Sequence, residues 1–281
     1  MKKIIEKTFV DTLCNIIPDD AESILILSRL WIFANKLQPR KKNFTFWLFD
    51  LIDELVGPDR TLIYPAFTFS FSKTKKFDLL KSIPETGALP KAAMRKPSFS
   101  RTPAPMNSYF VRGPKKEQLL QVKQKTTFGS DSVPGWIEKN NTLICALGLP
   151  EKNMGWLMIH YAEQTRKVPY RYFKKLKGRY YLDGKANGFC SETHYVKPSS
   201  ITLVQDNTPL NQKLHDQGLV ILPSDPSLPF KSAYAKDIVR TSLEILAANT
   251  FHLIVNSDDA KRWIKDHKYT EISALPEKNM N

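Results

Sequence analysis

The sequence predicts an α/β fold, with a mostly parallel central sheet, helices on both faces, long loops and an inserted small region of strand and helix. Two observations lead there. Ser23-Ile24-Leu25-Ile26-Leu27, Thr61-Leu62-Ile63-Tyr64 and Leu143-Ile144-Cys145-Ala146-Leu147 are unbroken apolar runs, as strands buried on both faces require. Between the first two, Phe44 to Val56 repeats apolar residues at helical spacing, and strand, helix, strand implies a right-handed parallel crossover.

Each element has its own justification. Ile5, Phe9, Leu13 and Ile17 share one helical face over residues 5–17, and Pro18-Asp19-Asp20 closes that element. The first strand follows at Ser23, and Gly57-Pro58-Asp59 stops the next helix before the second strand. Over residues 70–114 Lys, Pro, Ser and Phe recur with little periodicity, apart from a short helical pattern at 89–95. A long irregular segment in a compact domain points to a binding loop. Leu143 opens the third strand, and a helix carrying His160 comes next. Gly178-Arg179-Tyr180-Tyr181-Leu182-Asp183-Gly184 has hairpin character. Residues 200–204 read as a further strand and residues 237–248 as an amphipathic helix. The end, 275–281, is expected to fray.

With 281 residues and 42% hydrophobic content, the chain can bury a large core without disulfides or metals. A single domain over 1–281 is expected, with its core at about 8–254. Cys14, Cys145 and Cys190 are odd in number and in no ligand spacing, which argues for a reducing compartment and against a disulfide framework or a metal site. Cys190 reads as a small packed thiol rather than a nucleophile. No run approaches the roughly 20 apolar residues of a membrane span, and Met1-Lys2-Lys3 leads into Glu6, Lys7 and Asp11 instead of an apolar signal core. A cytoplasmic chain is the expectation. Its 42 basic and 28 acidic residues give a net charge of +14, a field that attracts anions. The basic residues are scattered and form no zinc finger, basic zipper or other reader module, so nucleic acid is not the expected partner.

Candidate chemistry sits where the third strand ends at Gly148 and the next helix presents His160 and Glu163 three positions apart. Ligands of open α/β sheets bind beyond the carboxyl ends of the strands, where an imidazole beside a carboxylate is placed for proton transfer. A plain surface ion pair at that spacing is the alternative.

Leu157-Met158-Ile159-His160-Tyr161-Ala162-Glu163, Val168-Pro169-Tyr170-Arg171, Asp183-Gly184 and Ser191-Glu192-Thr193-His194, in that order, resemble the core signature of the aminoglycoside 3-N-acetyltransferase family. The resemblance runs from about Thr8 to about Ile254. Tyr64-Pro65-Ala66-Phe67-Thr68 resembles the family's Pro-Thr-Phe-Thr turn, with Ala66 for the first threonine. Arg101-Thr102-Pro103-Ala104-Pro105-Met106-Asn107-Ser108 resembles its Arg-Ser-x-His-Pro-x-x-Ser stretch, with Ala104 for histidine, and Phe128-Gly129-Ser130-Asp131-Ser132 resembles a glycine-serine loop. Leu27-Ser28-Arg29-Leu30 stands where the family shows His-Ser-Ser-Leu, and Glu192-Thr193-His194 where antibiotic-modifying members hold Glu-x-Asp.

The resemblance implies direct acetyl transfer from acetyl-coenzyme A to a primary amine, with no covalent enzyme intermediate and no metal. His160 would be the general base, with Glu192 as first choice for the partner of its second ring nitrogen and Glu163 as second. The coenzyme would run along Ser28, Arg29, Leu30, Pro65 and Thr68. Arg29 or Arg101 would meet its phosphates, and amides near Thr68 or Ser108 would meet the oxyanion. Arg171 and His194 would face the acceptor. Arg166, Lys167, Arg171, Lys174 and Lys175 make that neighbourhood basic, which points to an anionic amino sugar, nucleotide-linked or lipid-linked, rather than a polycation. Tyr170, Tyr172, Phe173, Tyr180 and Tyr181 would stack on a base or sugar, or pack in the core. Two other readings stand beside this one: an aminoglycoside acetyltransferase, and a basic binding protein that kept the fold, suggested by Leu27, Ala66 and Ala104.

Overall fold

The computed structural model describes residues 2–32, 43–149 and 156–266. The end segment 275–281 lies outside the described residues. The central sheet has six strands. Three of them, β1 (Ser23–Ser28), β2 (Thr61–Pro65) and β6 (Leu143–Leu147), are the apolar runs of the sequence, and they lie side by side and parallel. Leu25 of β1 is in register with Ile63 on one side and Ile144 on the other. The flanks are antiparallel: β5 (Tyr109–Arg112) beside β2, β4 (Ser100–Arg101) beside β5, and β9 (Phe230–Tyr234) beside β6. The sheet is therefore parallel only at its centre, a correction to the mostly parallel expectation. The flanking strands are two to five residues long and mix polar with apolar positions, so no apolar run announces them.

Alternation along the strands sends apolar side chains to two layers. Ile24 and Ile26 pack with Phe9, Leu13 and Ile16 of α1 (Lys2–Ile16) and with Leu48, Phe49 and Ile52 of α2 (Phe44–Val56). Leu25, Ile63 and Ile144 pack on the opposite face against α7 (Met158–Arg166) and α9 (Ala235–Ala248), through Met158, Ile159, Ile238 and Leu246. Truncating a side chain such as Leu25 to alanine would cost about 2–5 kcal/mol through lost transfer energy and the cavity left behind.

The segment expected to be a loop contains short elements: α3 (Phe71–Thr74), β3 (Lys76–Asp78) and α4 (Ala88–Ala93), then β4 and β5. After it come α5 (Lys116–Leu120) and α6 (Val133–Lys139). The hairpin is longer than its sequence signal: β7 (Tyr172–Leu182) and β8 (Lys185–Val196) pair antiparallel around Asp183-Gly184, whose positive φ angles of 53° and 83° suit a tight two-residue turn. Strand β3 joins β7 in parallel, and the small sheet packs Phe77 and Leu176 on Phe71. Gly178 permits this, because a Cβ there would lie 2.5 Å from the Lys75 carbonyl oxygen.

Residues 200–204, read as a strand, are irregular, and the neighbouring Gln205 makes only an isolated bridge with Ile254. The helices α8 (Thr208–Asp216) and α10 (Ser257–Asp266) complete the described chain. Among the described residues no helix is long and apolar enough to cross a membrane, and no three His, Cys, Asp or Glu side chains are grouped as metal ligands would be. All three cysteines are free. Burial pushes the Cys145 thiol up, and burial and then Glu192 push Cys190 up to about 11. Neither thiol is primed as a nucleophile at neutral pH.

Candidate active site

Strand β6 ends in Gly148, whose φ of 76° turns the chain away while its amide donates to the Pro229 carbonyl at 2.9 Å. His160, on α7, faces the carboxyl ends of β1 and β2. A cavity of about 280 Å³ opens there, lined by Leu27 and Ser28 of β1, Pro65 of β2, and Trp156, His160 and Gln205, with a mostly apolar wall.

His160 and Glu163 are not a surface pair. Glu163 is completely buried, whereas the imidazole keeps 35% of its surface open. The ring Nδ1 lies 2.9 Å from Glu163 Oε2, and Arg171 Nη2 lies 2.8 Å from that same oxygen and 3.2 Å from Nδ1. A guanidinium has only donors, so the nearness of Arg171 to Nδ1 reflects the shared carboxylate oxygen. The arrangement puts a proton on Nδ1, donated to Glu163, and leaves the Nε2 lone pair on the other edge of the ring. Tyr170 donates its hydroxyl to Glu163 Oε1 at 3.1 Å, Arg171 Nη1 donates to the Tyr195 carbonyl at 3.1 Å, and Phe128 packs against the imidazole at 5.4 Å between ring centres.

Burial alone would push the Glu163 carboxyl up, but the Arg171 guanidinium, followed by His160, reverses that and holds it at about 2. Burial draws the His160 imidazole below its ordinary value of 6.5. The Glu163 hydrogen bond opposes that shift, and the Arg171 charge adds to it. Lys197, which donates to the Leu203 carbonyl at 3.1 Å, is brought down to about 8 by burial and by Arg171, with Glu163 acting against them. At neutral pH the cluster therefore holds an anionic carboxylate and a neutral imidazole.

Glu192, the first choice as the imidazole's partner, makes its hydrogen bonds elsewhere. Its Oε2 accepts from the amides of Met106 at 2.8 Å and Asn107 at 3.2 Å, and its Oε1 from Thr127 Oγ1 at 2.8 Å and Gln124 Nε2 at 3.1 Å. Burial raises its carboxyl, and the His194 imidazole together with these donors more than compensates. Strand register explains the placement: Glu192 is paired with Leu176 and so points to the face of the hairpin that packs on Phe71 and Phe77. Its connection to the imidazole runs through neighbours: Thr127 precedes Phe128, and Gln164 Nε2 donates to Thr126 Oγ1 at 2.7 Å.

Among the residues expected at the coenzyme, Ser28 and Pro65 line the cavity, while Arg29, Leu30, Thr68, Arg101 and Ser108 do not. Arg101 is buried and spent. Its guanidinium donates to Ser108 Oγ at 2.8 Å, to the Ala66 carbonyl at 2.6 Å, to Thr68 Oγ1 at 2.7 Å and to the Ser82 carbonyl, and burial brings it down to about 10. It fastens the β2 turn to the following loop instead of reaching for a phosphate. Arg29 lies with its guanidinium 4.7 Å from the Trp31 ring, and Leu30 packs on the α1 and α2 layer. Arg171 and His194, expected at the acceptor, are both buried and do not line the cavity. His194 Nε2 lies 3.5 Å from Glu192.

Sequence reasoning missed Gln205. Its Nε2 is buried with no hydrogen-bond partner, and the residue lines the same cavity as His160. It lies between an irregular segment and a short helix, where neither periodicity nor a motif marks it.

The aminoglycoside 3-N-acetyltransferase family model matches residues 45–221, more than half of the chain, and that span contains His160, Glu163, Arg171 and Glu192. No curated protein sequence matches. Three of the similar solved structures show the shared fold. The apoenzyme of aminoglycoside acetyltransferase AAC(3)-IVa is 18% identical, with a TM-score of 0.67 over 92% of this chain and 96% of that one. AAC-IIIb, solved as a binary complex with CoASH, is 15% identical, with a TM-score of 0.71 over 86% and 96%. YokD from Bacillus subtilis is 12% identical, with a TM-score of 0.68 over 87% and 94%. The chain belongs to the aminoglycoside 3-N-acetyltransferase family and is an N-acetyltransferase.

Proposed function

We propose that the enzyme transfers the acetyl group of acetyl-coenzyme A directly to the primary amine of an anionic amino sugar, nucleotide-linked or lipid-linked, with His160 as general base. The observation that carries this reading is the imidazole at the cavity wall, its Nδ1 2.9 Å from a buried carboxylate that Arg171 pairs with at 2.8 Å. The CoASH complex of AAC-IIIb supports the donor.

An amine arrives as an ammonium and has no lone pair until it loses a proton. His160 Nε2 takes that proton as nitrogen attacks the thioester carbonyl, and Glu163 stabilises the imidazolium that forms. The nitrogen–carbon bond forms; as the carbon–sulfur bond breaks, the nitrogen sheds its second proton, which the departing thiolate takes through solvent, and His160 returns the first proton to solvent. The oxyanion of the tetrahedral intermediate needs a donor. The amides of Thr68 and Ala66 donate to the carbonyls of Met106 and Ser108, both at 2.8 Å, so neither is open. We assign this donor to Gln205, which lines the cavity and whose buried Nε2 has no hydrogen-bond partner.

Charge supports this acceptor. Glu163 and Glu192 are both saturated by internal donors, Glu163 by Arg171, which leaves neither to neutralise a polycation, and Lys197 adds positive charge behind the imidazole. An aminoglycoside acceptor is the second reading, favoured by the neighbour AAC(3)-IVa, which has been solved in complex with a gentamicin. Thiol release from acetyl-coenzyme A, measured at low salt against nucleotide-linked amino sugars and aminoglycosides, separates the two. Faster release with the anionic sugars is expected, and faster release with aminoglycosides overturns the acceptor assignment.

A further inference from the structure

We propose that the outer face of the three-stranded sheet docks on an anionic lipid surface, a property separate from acetyl transfer. Lys175, Lys177 and Arg179 occupy alternate positions of β7 and share one face, about 6.6 Å apart. Register adds Lys76 of β3 and Phe189 of β8 to that face, since both are paired with Arg179. The opposite face is filled by Phe77 and Leu176 packed on Phe71. All four cations are exposed, and among the described residues none of them makes an ion pair. The nearby acids are occupied: Asp78 accepts from the amides of Leu80, Lys81 and Gly184, and Asp183 pairs with Lys81 at 3.0 Å.

Apolar side chains on this face and at its border, in the hairpin tip and the loops on either side of β3, distinguish it from a generic basic patch. Phe189 is 86% exposed and Ile83 63%, and with Phe69, Leu80 and Leu182 they make five of the nine large apolar side chains that stand exposed among the described residues. Leu80 is tied to the hairpin tip, since the Leu79 amide donates to the Tyr181 carbonyl at 3.0 Å. The chain then passes Ile83 and returns to Phe69 and Thr86, which line the active-site cavity. Exposed apolar groups thus follow the chain from the hairpin tip to the wall of the cavity, which docking would hold near headgroup level. Anionic bilayers reward both halves of this pattern, charge at the headgroups and apolar groups below them. Nucleic acid has no use for Leu80, Ile83 and Leu182, and a second copy of the same face would bring like charges together.

The test is co-sedimentation of the full chain with phosphatidylcholine vesicles, with and without roughly a third phosphatidylglycerol, in 0.1 M and higher salt. Pelleting with the anionic vesicles alone is expected. Each basic contact is worth about fivefold in partitioning, so Lys175→Glu, Lys177→Glu and Arg179→Glu together should weaken it about a hundredfold. The exposed residues Lys91, Lys139 and Lys236, all changed to glutamate, match that change in net charge elsewhere on the surface and should weaken it far less. Leu80→Ser with Phe189→Ser should remove the fraction that survives raised salt. Absence of pelleting with anionic vesicles, equal losses from the two triple reversals, or displacement from vesicles by a single-stranded oligonucleotide at lower concentration than by free phosphatidylglycerol would each overturn the assignment. None of these readings depends on turnover.

Discussion

His160 and Glu163 have separable roles, and pH distinguishes them. The imidazole titrates below 6.5, so kcat/KM should hold its plateau through neutrality and fall only below that value. Replacing His160 with asparagine should lower kcat by about 100-fold or more while leaving the affinity for acetyl-coenzyme A nearly unchanged, as equilibrium binding would report. Glu163 acts on stability as well. Its folded value of about 2 lies below the ordinary 4.5, so its contribution is complete above pH 4.5 and is lost as pH falls from there toward 2. Glu163→Gln should therefore unfold at a lower temperature than the parent at pH 7, and that gap should narrow on acidification within this window; a gap that widens would contradict the ion pair. Gln205→Leu should lower kcat by roughly 100-fold with little change in folding, the loss typical of one oxyanion donor, and unchanged kcat would remove Gln205 from the mechanism. Of this site the sequence displayed His160 and Glu163, because helical spacing alone puts them side by side. It could not display Arg171 as the third member, since that contact depends on how β7 leaves α7, nor Gln205, which only the tertiary fold brings to the cavity.

At the level of elements, a few buried charges fasten irregular chain to regular structure. Glu192 holds the 106–107 turn and Thr127 to β8, and Arg101 holds the β2 turn to the loop that follows β3. Removing one partner of such a network leaves the rest buried and unmet, a loss of about 3–5 kcal/mol. Glu192→Ala should accordingly lower the melting temperature markedly and disturb Phe128 against the imidazole. Comparison with Glu163→Gln is decisive: if Glu192 were the imidazole's partner, Glu192→Gln would retain the parent's melting temperature and lose as much kcat as Glu163→Gln. The anchoring role predicts the reverse order, a larger loss of stability and a smaller loss of kcat. The same elements mark the limit of sequence reading. Strands β1, β2 and β6 and the helix α2 were legible because burial on both faces, or on one helical stripe, leaves a run or a period. Strands β3, β4 and β5 were not, because two to four residues carry no period, and their order is fixed by contacts with chain far away in sequence. The irregular course of residues 200–204 was misread for a related reason: β-branched composition there is not matched by a neighbouring strand to pair with.

For the molecule as a whole, the net charge of +14 becomes functional only through where it is not neutralised. Glu163 neutralises Arg171 and Glu192 is consumed by internal donors, so the field at the cavity is set by Lys197 and the basic residues around it. Fields of this kind raise the encounter rate of an oppositely charged substrate by about 10- to 1000-fold, and salt removes the advantage as the Debye length shrinks from about 10 Å at 0.1 M to about 3 Å at 1 M. For an anionic amino sugar, kcat/KM should fall at least tenfold across that salt range while kcat stays level, because steering acts on encounter and not on the bound complex. For a polycationic aminoglycoside the same field opposes approach, and kcat/KM should rise with salt. Steady-state kinetics on one acceptor of each charge, with the donor saturating, would show the two slopes directly. Parallel slopes would mean that the surface charge is not felt at the cavity, and an inverted pair, with aminoglycoside turnover falling as salt rises, would mean that the acceptor site presents acidic groups of its own.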